Sequence, residues 1–268
     1  MCDLHVWGFM KNFRTALFFM LLCCACGTAA LCRVAGQTSA VTVRPGVTEK
    51  IRLRSTDRLP DAAGEARVER KGGTTEIEVN LESMKPASLF GGDYNTYVLW
   101  AVPPRGAAQN LGELQLEGER TRLHAGTNAE TFALLVTAEP HYLVTMPSAF
   151  VVLTNQPNPQ GQRIRYQLVE GVYNFERSRL SDVKEAKGKV QTEVKQAFTA
   201  VRLAQRAGAA RLAPEKLGEA QHALDETLDL WRQRVNRLEI VAQAHETVRL
   251  ALAAQHLAED RAFQSSNR

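Results

Sequence analysis

The chain has 268 residues, with 33 Lys and Arg against 29 Asp and Glu, a net charge of +4 and 44% hydrophobic residues. That length is ample for a buried core and suggests two domains. Nearly balanced charge, with no basic tract and no basic patch interleaved with aromatics, excludes nucleic acid as a partner.

All five cysteines, Cys2, Cys23, Cys24, Cys26 and Cys32, fall in the first 32 residues. The apolar run 16–31 follows Lys11 and Arg14 and passes through small residues into a polar stretch. This is the order of an export signal, so residues 1–36 read as a signal peptide or signal anchor. A start at Met10 would supply a normal basic n-region. The run is shorter than the roughly 20 residues that span a bilayer comfortably. Three routes stay open: cleavage between Gly36 and Gln37, lipidation of Cys26, or an uncleaved anchor. The expected location is the periplasm or outer envelope, or a membrane-anchored position facing the periplasm. The membrane enters only if the segment is lipidated or uncleaved. Residues 1–36 carry three basic side chains and one acidic, so the remainder holds 30 basic against 28 acidic. It has no cysteine, which excludes disulfide staples, thiol catalysis and zinc–cysteine sites there.

Residues 37–154 read as short strands. Val41-Thr-Val43 and Ile51-Arg-Leu53 alternate apolar and polar residues. Ala66-Arg-Val68 and Ile77-Glu-Val79-Asn-Leu81 flank Gly72-Gly73, a hairpin signal. Tyr97-Val-Leu-Trp100-Ala-Val102 is apolar on both faces and predicts a central strand, with Trp100 in the core. Pro103-Pro104-Arg105-Gly106 ends it. Leu111-Gly-Glu-Leu114-Gln-Leu116 and Arg122-Leu123 predict the next paired strands. Phe132-Ala-Leu-Leu-Val136 and Phe150-Val-Val-Leu153 are further apolar runs. Turn signals every ten or so residues predict an antiparallel Ig-like β-sandwich.

Residues 155–176 form a proline-bearing linker, in which Ile164-Arg-Tyr166-Gln-Leu168 is either a last strand or an extended lead-in. Helical periodicity follows over 177–264. Leu180, Val183, Val190, Val194, Ala197, Val201 and Ala204 mark the first helix. Pro214 suits the first turn of a second, with Leu217, Ala220, Leu224, Leu228 and Trp231 on one stripe. A third begins near Leu238, after a bend around Arg232, Arg234, Asn236 and Arg237. Residues 265–268 form a polar tail read as disordered. The fold class expected is therefore α+β as two segregated domains, the sandwich followed by a three-helix antiparallel bundle.

Chemistry-bearing patterns are sparse. There is no Gly-x-Ser-x-Gly elbow, no phosphate-binding Gly-x-x-x-x-Gly-Lys and no dinucleotide fingerprint. His124, His141, His222, His245 and His256 show no metal-ligand spacing and read as solvated or capping residues. Carboxylate pairs such as Glu117 with Glu119, or Asp225 with Glu226, read as charged surface. No catalytic, cofactor-binding or metal residue is assigned, and no cofactor is expected. Gly91-Gly92-Asp93-Tyr94 is either a tight turn or a ligand loop. Arg202, Arg206, Arg232 and Arg237 are candidate partner contacts on helix faces read as exposed.

Tyr97-Val-Leu-Trp100-Ala-Val, Asn110-Leu-Gly-Glu-Leu114 and Phe132-Ala-Leu-Leu-Val-Thr-Ala-Glu-Pro140 resemble the extracytoplasmic β-domain of anti-sigma-K-type factors and of certain bacterial envelope proteins. Ala207-Gly-Ala-Ala-Arg-Leu-Ala-Pro214-Glu-Lys-Leu217-Gly-Glu-Ala220 is similar to an alanine-rich helical module that precedes outer-membrane-protein-A-like, peptidoglycan-binding domains. Only a short peptide precedes the leader here, so sigma regulation is not expected, and no wall-anchoring residues carry over. The resemblance supplies no catalytic residues. The resulting expectation is a non-enzymatic envelope protein that meets another envelope protein. The alternative is a small-molecule or glycan-binding extracytoplasmic module.

Overall fold

The computed structural model describes residues 32–157, 159, 161–170 and 191–267. The Cys26 lipidation reading, most of the leader and the proposed start of the first helix (Leu180, Val183, Val190) lie outside the described residues. The chain is α+β: an antiparallel, nearly closed β region followed by C-terminal helices.

Eleven strands are described. In chain order they are β1 (Cys32–Ser39), β2 (Val41–Thr42), β3 (Thr48–Ser55), β4 (Ala63–Lys71), β5 (Thr74–Glu82), β6 (Thr96–Val102), β7 (Gln109–Glu113), β8 (Thr121–Thr127), β9 (Thr131–Glu139), β10 (Val151–Asn155) and β11 (Arg163–Glu170). The main sheet runs β7-β6-β9-β10-β3-β4-β5-β8, with β2 added on β9, while β1 and β11 form a separate ribbon. These strands follow one continuous pairing path from β7 round to β8.

Period-two patterning sets the inward face of this path. On β5, Thr75, Ile77, Val79 and Leu81 point inward, while Glu76, Glu78 and Asn80 alternate on the other face. They meet Val68, Tyr97, Leu99, Phe132, Leu134 and Val136 in one apolar core. The β4–β5 turn is the expected Gly72-Gly73 hairpin. Lys71 pairs with Thr74, and both glycines have positive φ, as a two-residue primed turn requires.

β6 and β9 bury side chains on both faces. Their second face presents Val98, Trp100, Val102, Ala133 and Leu135 to Ile164 and Leu168 of the ribbon. Trp100 is fully buried there, and its Nε1 donates to Thr137 Oγ1 at 2.8 Å. Residues 163–170 thus form a strand, paired with β1 over Cys32↔Glu170 to Ser39↔Arg163. β7 and β8 do not pair with each other as the sequence suggested. β7 folds back on β6, and β8 adds to β5. A local turn between them survives in the Glu117↔Arg120 bridge.

The helices are α1 (Thr192–Arg206), α2 (Ala209–Leu212), α3 (Pro214–Arg232) and α4 (Arg237–Ser266). Four are described where three were expected, because Gly208 at φ 85° stops α1 and a single extra turn precedes Pro214. Pro214 occupies the first turn of α3, where a missing N–H is harmless. Asn236 caps α4 by accepting from Leu238 N at 3.0 Å. Residues 265 and 266, assigned to a disordered tail, belong to α4. The helical core is built from small side chains: Ala197, Ala200, Ala204, Ala220, Ala244 and Ala251 are buried. Small residues permit close approach but contribute little apolar area each.

Candidate functional site

The segment between a 3-10 turn (Ala87–Phe90) and β6 is built to face α1. Gly91 (φ 80°) and Gly92 (φ 62°) adopt backbone conformations that side-chain-bearing residues avoid. They drive Asp93 inward to complete burial. Its two carboxylate oxygens accept from Arg202 and Arg206 respectively. These arginines are one helical turn apart on α1, so a single face delivers both. Asn95 Nδ2 donates to Thr199 Oγ1 and to Pro140 O, both at 3.0 Å. Gln196 completes the contact, accepting from Tyr142 N at 2.9 Å and donating to Glu113 Oε1 at 2.6 Å.

Two separate readings of the sequence therefore converge, and both change. Gly91, Gly92, Asp93 and Tyr94 are buried residues that seat the chain's own helix, rather than an open ligand loop. Arg202 and Arg206 point into the protein, their side chains 19% and 34% exposed. Arg232 and Arg237 remain outward. Arg232 pairs with Asp229 on its own helix at 2.9 Å, and Arg237 reaches Glu193 at 3.1 Å. Gly36 and Gln37 lie within β1, opposite Tyr166 and Arg165. The Tyr166 ring packs so closely on Gly36 that a Cβ there would fall 2.4 Å from it.

Buried titratable groups were not legible in the sequence. Glu139 is fully buried, and its Oε1 accepts from Thr137 Oγ1 and from Ser148 N. Burial pushes its carboxyl up to about 8, against a partial opposing effect of those hydrogen bonds. Tyr94 is pushed up to about 12, chiefly by burial and further by Glu139. His141 is 3% exposed and its Nδ1 has no hydrogen-bond partner. Burial, with a lesser contribution from His256, lowers it to about 4. The His245 ring lies tilted against Tyr142 with ring centroids 4.5 Å apart, and its Nε2 is buried without a hydrogen-bond partner. The solvated reading thus fails for His141 and His245 and fits the exposed His124, His222 and His256. One signal could have found Glu139: it ends a strand that is apolar on both faces.

Beside the Asp93 contact lies a cleft of about 430 Å³, between the β6–β7 edge and the first turn of α1. Glu113, Glu117, Glu193, Lys195 and Arg237 line it, together with Asn95 and Thr96. Glu113 is anchored from both sides, accepting from Thr96 Oγ1 and Gln196 Nε2 at 2.6 Å each. The cleft can bind a polar molecule by charge and hydrogen bonding. Among the described residues, no three His, Cys, Asp or Glu side chains are grouped to hold a metal ion.

No family model matches this chain, and no curated protein matches it.

Proposed function

We propose that the chain is a non-enzymatic cell-envelope interaction protein that presents a β region and a helical region outside the cytoplasm as one scaffold. The single-scaffold part of this reading is carried by the burial of Asp93 between Arg202 and Arg206, which ties α1 to the β region. The export-signal pattern and the resemblance to envelope β-domains and helical modules support the location. The finer architecture belongs to the same proposal. An Ig-like sandwich is supported by the shared core in which Ile77, Val79 and Leu81 of β5 meet Tyr97 and Leu99 of β6 and Val136 of β9. A three-helix antiparallel bundle is supported by the three helices longer than one turn, α1, α3 and α4.

The partner surface then moves to the α3–α4 corner. Arg232 and Arg237 flank Leu238, a large apolar side chain 75% exposed. A photo-crosslinking residue at Leu238 in the exported protein is expected to capture a discrete envelope protein. The same residue placed at the exposed His222 should not. Equal labelling from both positions, or none from Leu238, would overturn the assignment. Intact mass decides the processing route. Cleavage after Gly36 leaves only Gln37, Thr38 and Ser39 to pair with β11, whereas retention keeps all eight pairs.

A further inference from the structure

The polar cleft holds two charged groups left incomplete by the protein itself. Glu193, in the first turn of α1, has a side chain only 6% exposed. Its Oε1 accepts from Arg237, and its Oε2 has no hydrogen-bond partner. A buried carboxylate oxygen left in this state is costly, and a bound donor would relieve it. Two residues on, Lys195 lines the same cleft, half-buried and without an ion-pair partner among the described residues. The first turn of α1 has no side-chain cap, so its N–H groups add to the positive end of the helix.

An incomplete acceptor and an incomplete cation in one cleft demand complementary groups from the same ligand. A simple metal ion would satisfy Glu193 but face Lys195 and Arg237. An anion alone would satisfy Lys195 but face Glu113, Glu117 and Glu193. We infer that the cleft is a binding site for a small zwitterion bearing a primary ammonium and a carboxylate, an amino acid or a short peptide. The ammonium donates to Glu193. The exposed Arg237 side chain, 69% accessible, shifts aside to admit it. The carboxylate sits against Lys195 and the start of α1. A volume of about 430 Å³ falls within the range of small-molecule sites and has room for a dipeptide. This site goes beyond the partner surface at Leu238, with which it shares only Arg237, and its test reads Glu193 and Lys195 alone.

The test is isothermal titration of the purified full chain with L-alanyl-L-alanine, its N-acetyl derivative and its C-terminal amide. The free dipeptide is expected to bind, with each blocked form weaker by about tenfold or more. Glu193→Gln should abolish discrimination against the acetylated form only, and Lys195→Met discrimination against the amide only. Absence of binding at about 10 mM dipeptide, equal binding of all three forms, or variants that leave discrimination unchanged would overturn the proposal. Should circular dichroism show Glu193→Gln to be unfolded, Lys195→Met and the blocked ligands decide alone.

Discussion

Asp93 and Arg202 stand 109 residues apart in the chain and meet in an ion pair whose carboxylate is wholly shielded from solvent. With Arg206 on the second oxygen, the carboxylate has both of its atoms engaged. A buried ion pair is a poor source of net stability, but removing one partner strands the other charge. Asp93→Ala should therefore lower stability by about 3 kcal/mol, the low end for such a break because Arg206 remains a third exposed. Urea denaturation checks the magnitude. Amide hydrogen exchange should show residues 192–206 losing protection before the main sheet does.

Glu139 makes stability fall as the solution becomes alkaline. Its folded carboxyl titrates near 8, well above an ordinary carboxylate at 4.5. Between those values the folded state holds a proton that the unfolded state has lost, so each rise in pH favours unfolding. The contribution is fully present below 4.5 and gone above about 8. Glu139→Gln should be more resistant to urea than the parent at pH 8.5, and closer to it at pH 5. An identical pH profile for the two proteins would contradict this.

His141 acts in the opposite sense. Its folded imidazole titrates near 4 against 6.5 for an unburied one. As pH falls from 6.5 toward 4, the unfolded state takes up a proton that the folded state refuses. Stability is therefore fully present above 6.5 and lost on acidification. Replacement by Phe, which keeps a ring in the buried space, should flatten the acid side of the profile. Thermal midpoints at pH 7 and pH 4.5 supply the comparison.

Thr227 and Thr247 join α3 to α4 through buried hydroxyls 2.9 Å apart. Each also lies against a carbonyl one turn back, Ala223 O at 2.8 Å and Gln243 O at 3.0 Å. Either single Thr→Val change leaves a buried hydroxyl short of one neighbour and should cost about 1 kcal/mol. The double change should cost less than the two singles combined, because both halves of the pair disappear together. Four-point urea measurements read the coupling directly.

Strands, turns and helix ends were legible because their causes are local. Alternation on Ile77, Val79 and Leu81 states which residues face inward. Gly72 and Gly73 demand a turn, and Pro214 marks a helix start by the hydrogen bond that it omits, whereas Asn236, read as part of a bend, shows its capping role only in the structure. The candidate site was half legible. Gly91, Gly92, Asp93 and Tyr94 stood out as a segment, and Arg202 and Arg206 stood out as a charged face, but the two were read as separate surfaces.

Period-two patterning says that a side chain points inward without saying which strand lies alongside. β7 thus pairs with β6 and β8 with β5, and the two meet only as the end strands of the nearly closed path, where Thr127 Oγ1 donates to Gln109 Oε1. The same holds for charge. Residue type alone reads an arginine on a helix as solvated, since solvation is its cheapest state. Only the three-dimensional fold brought Asp93 to α1, isolated Glu139 and His141 from water, and left Glu193 with one oxygen unanswered beside Lys195. Each of these depends on what packs from a distant part of the chain, and that is set by how the two regions meet.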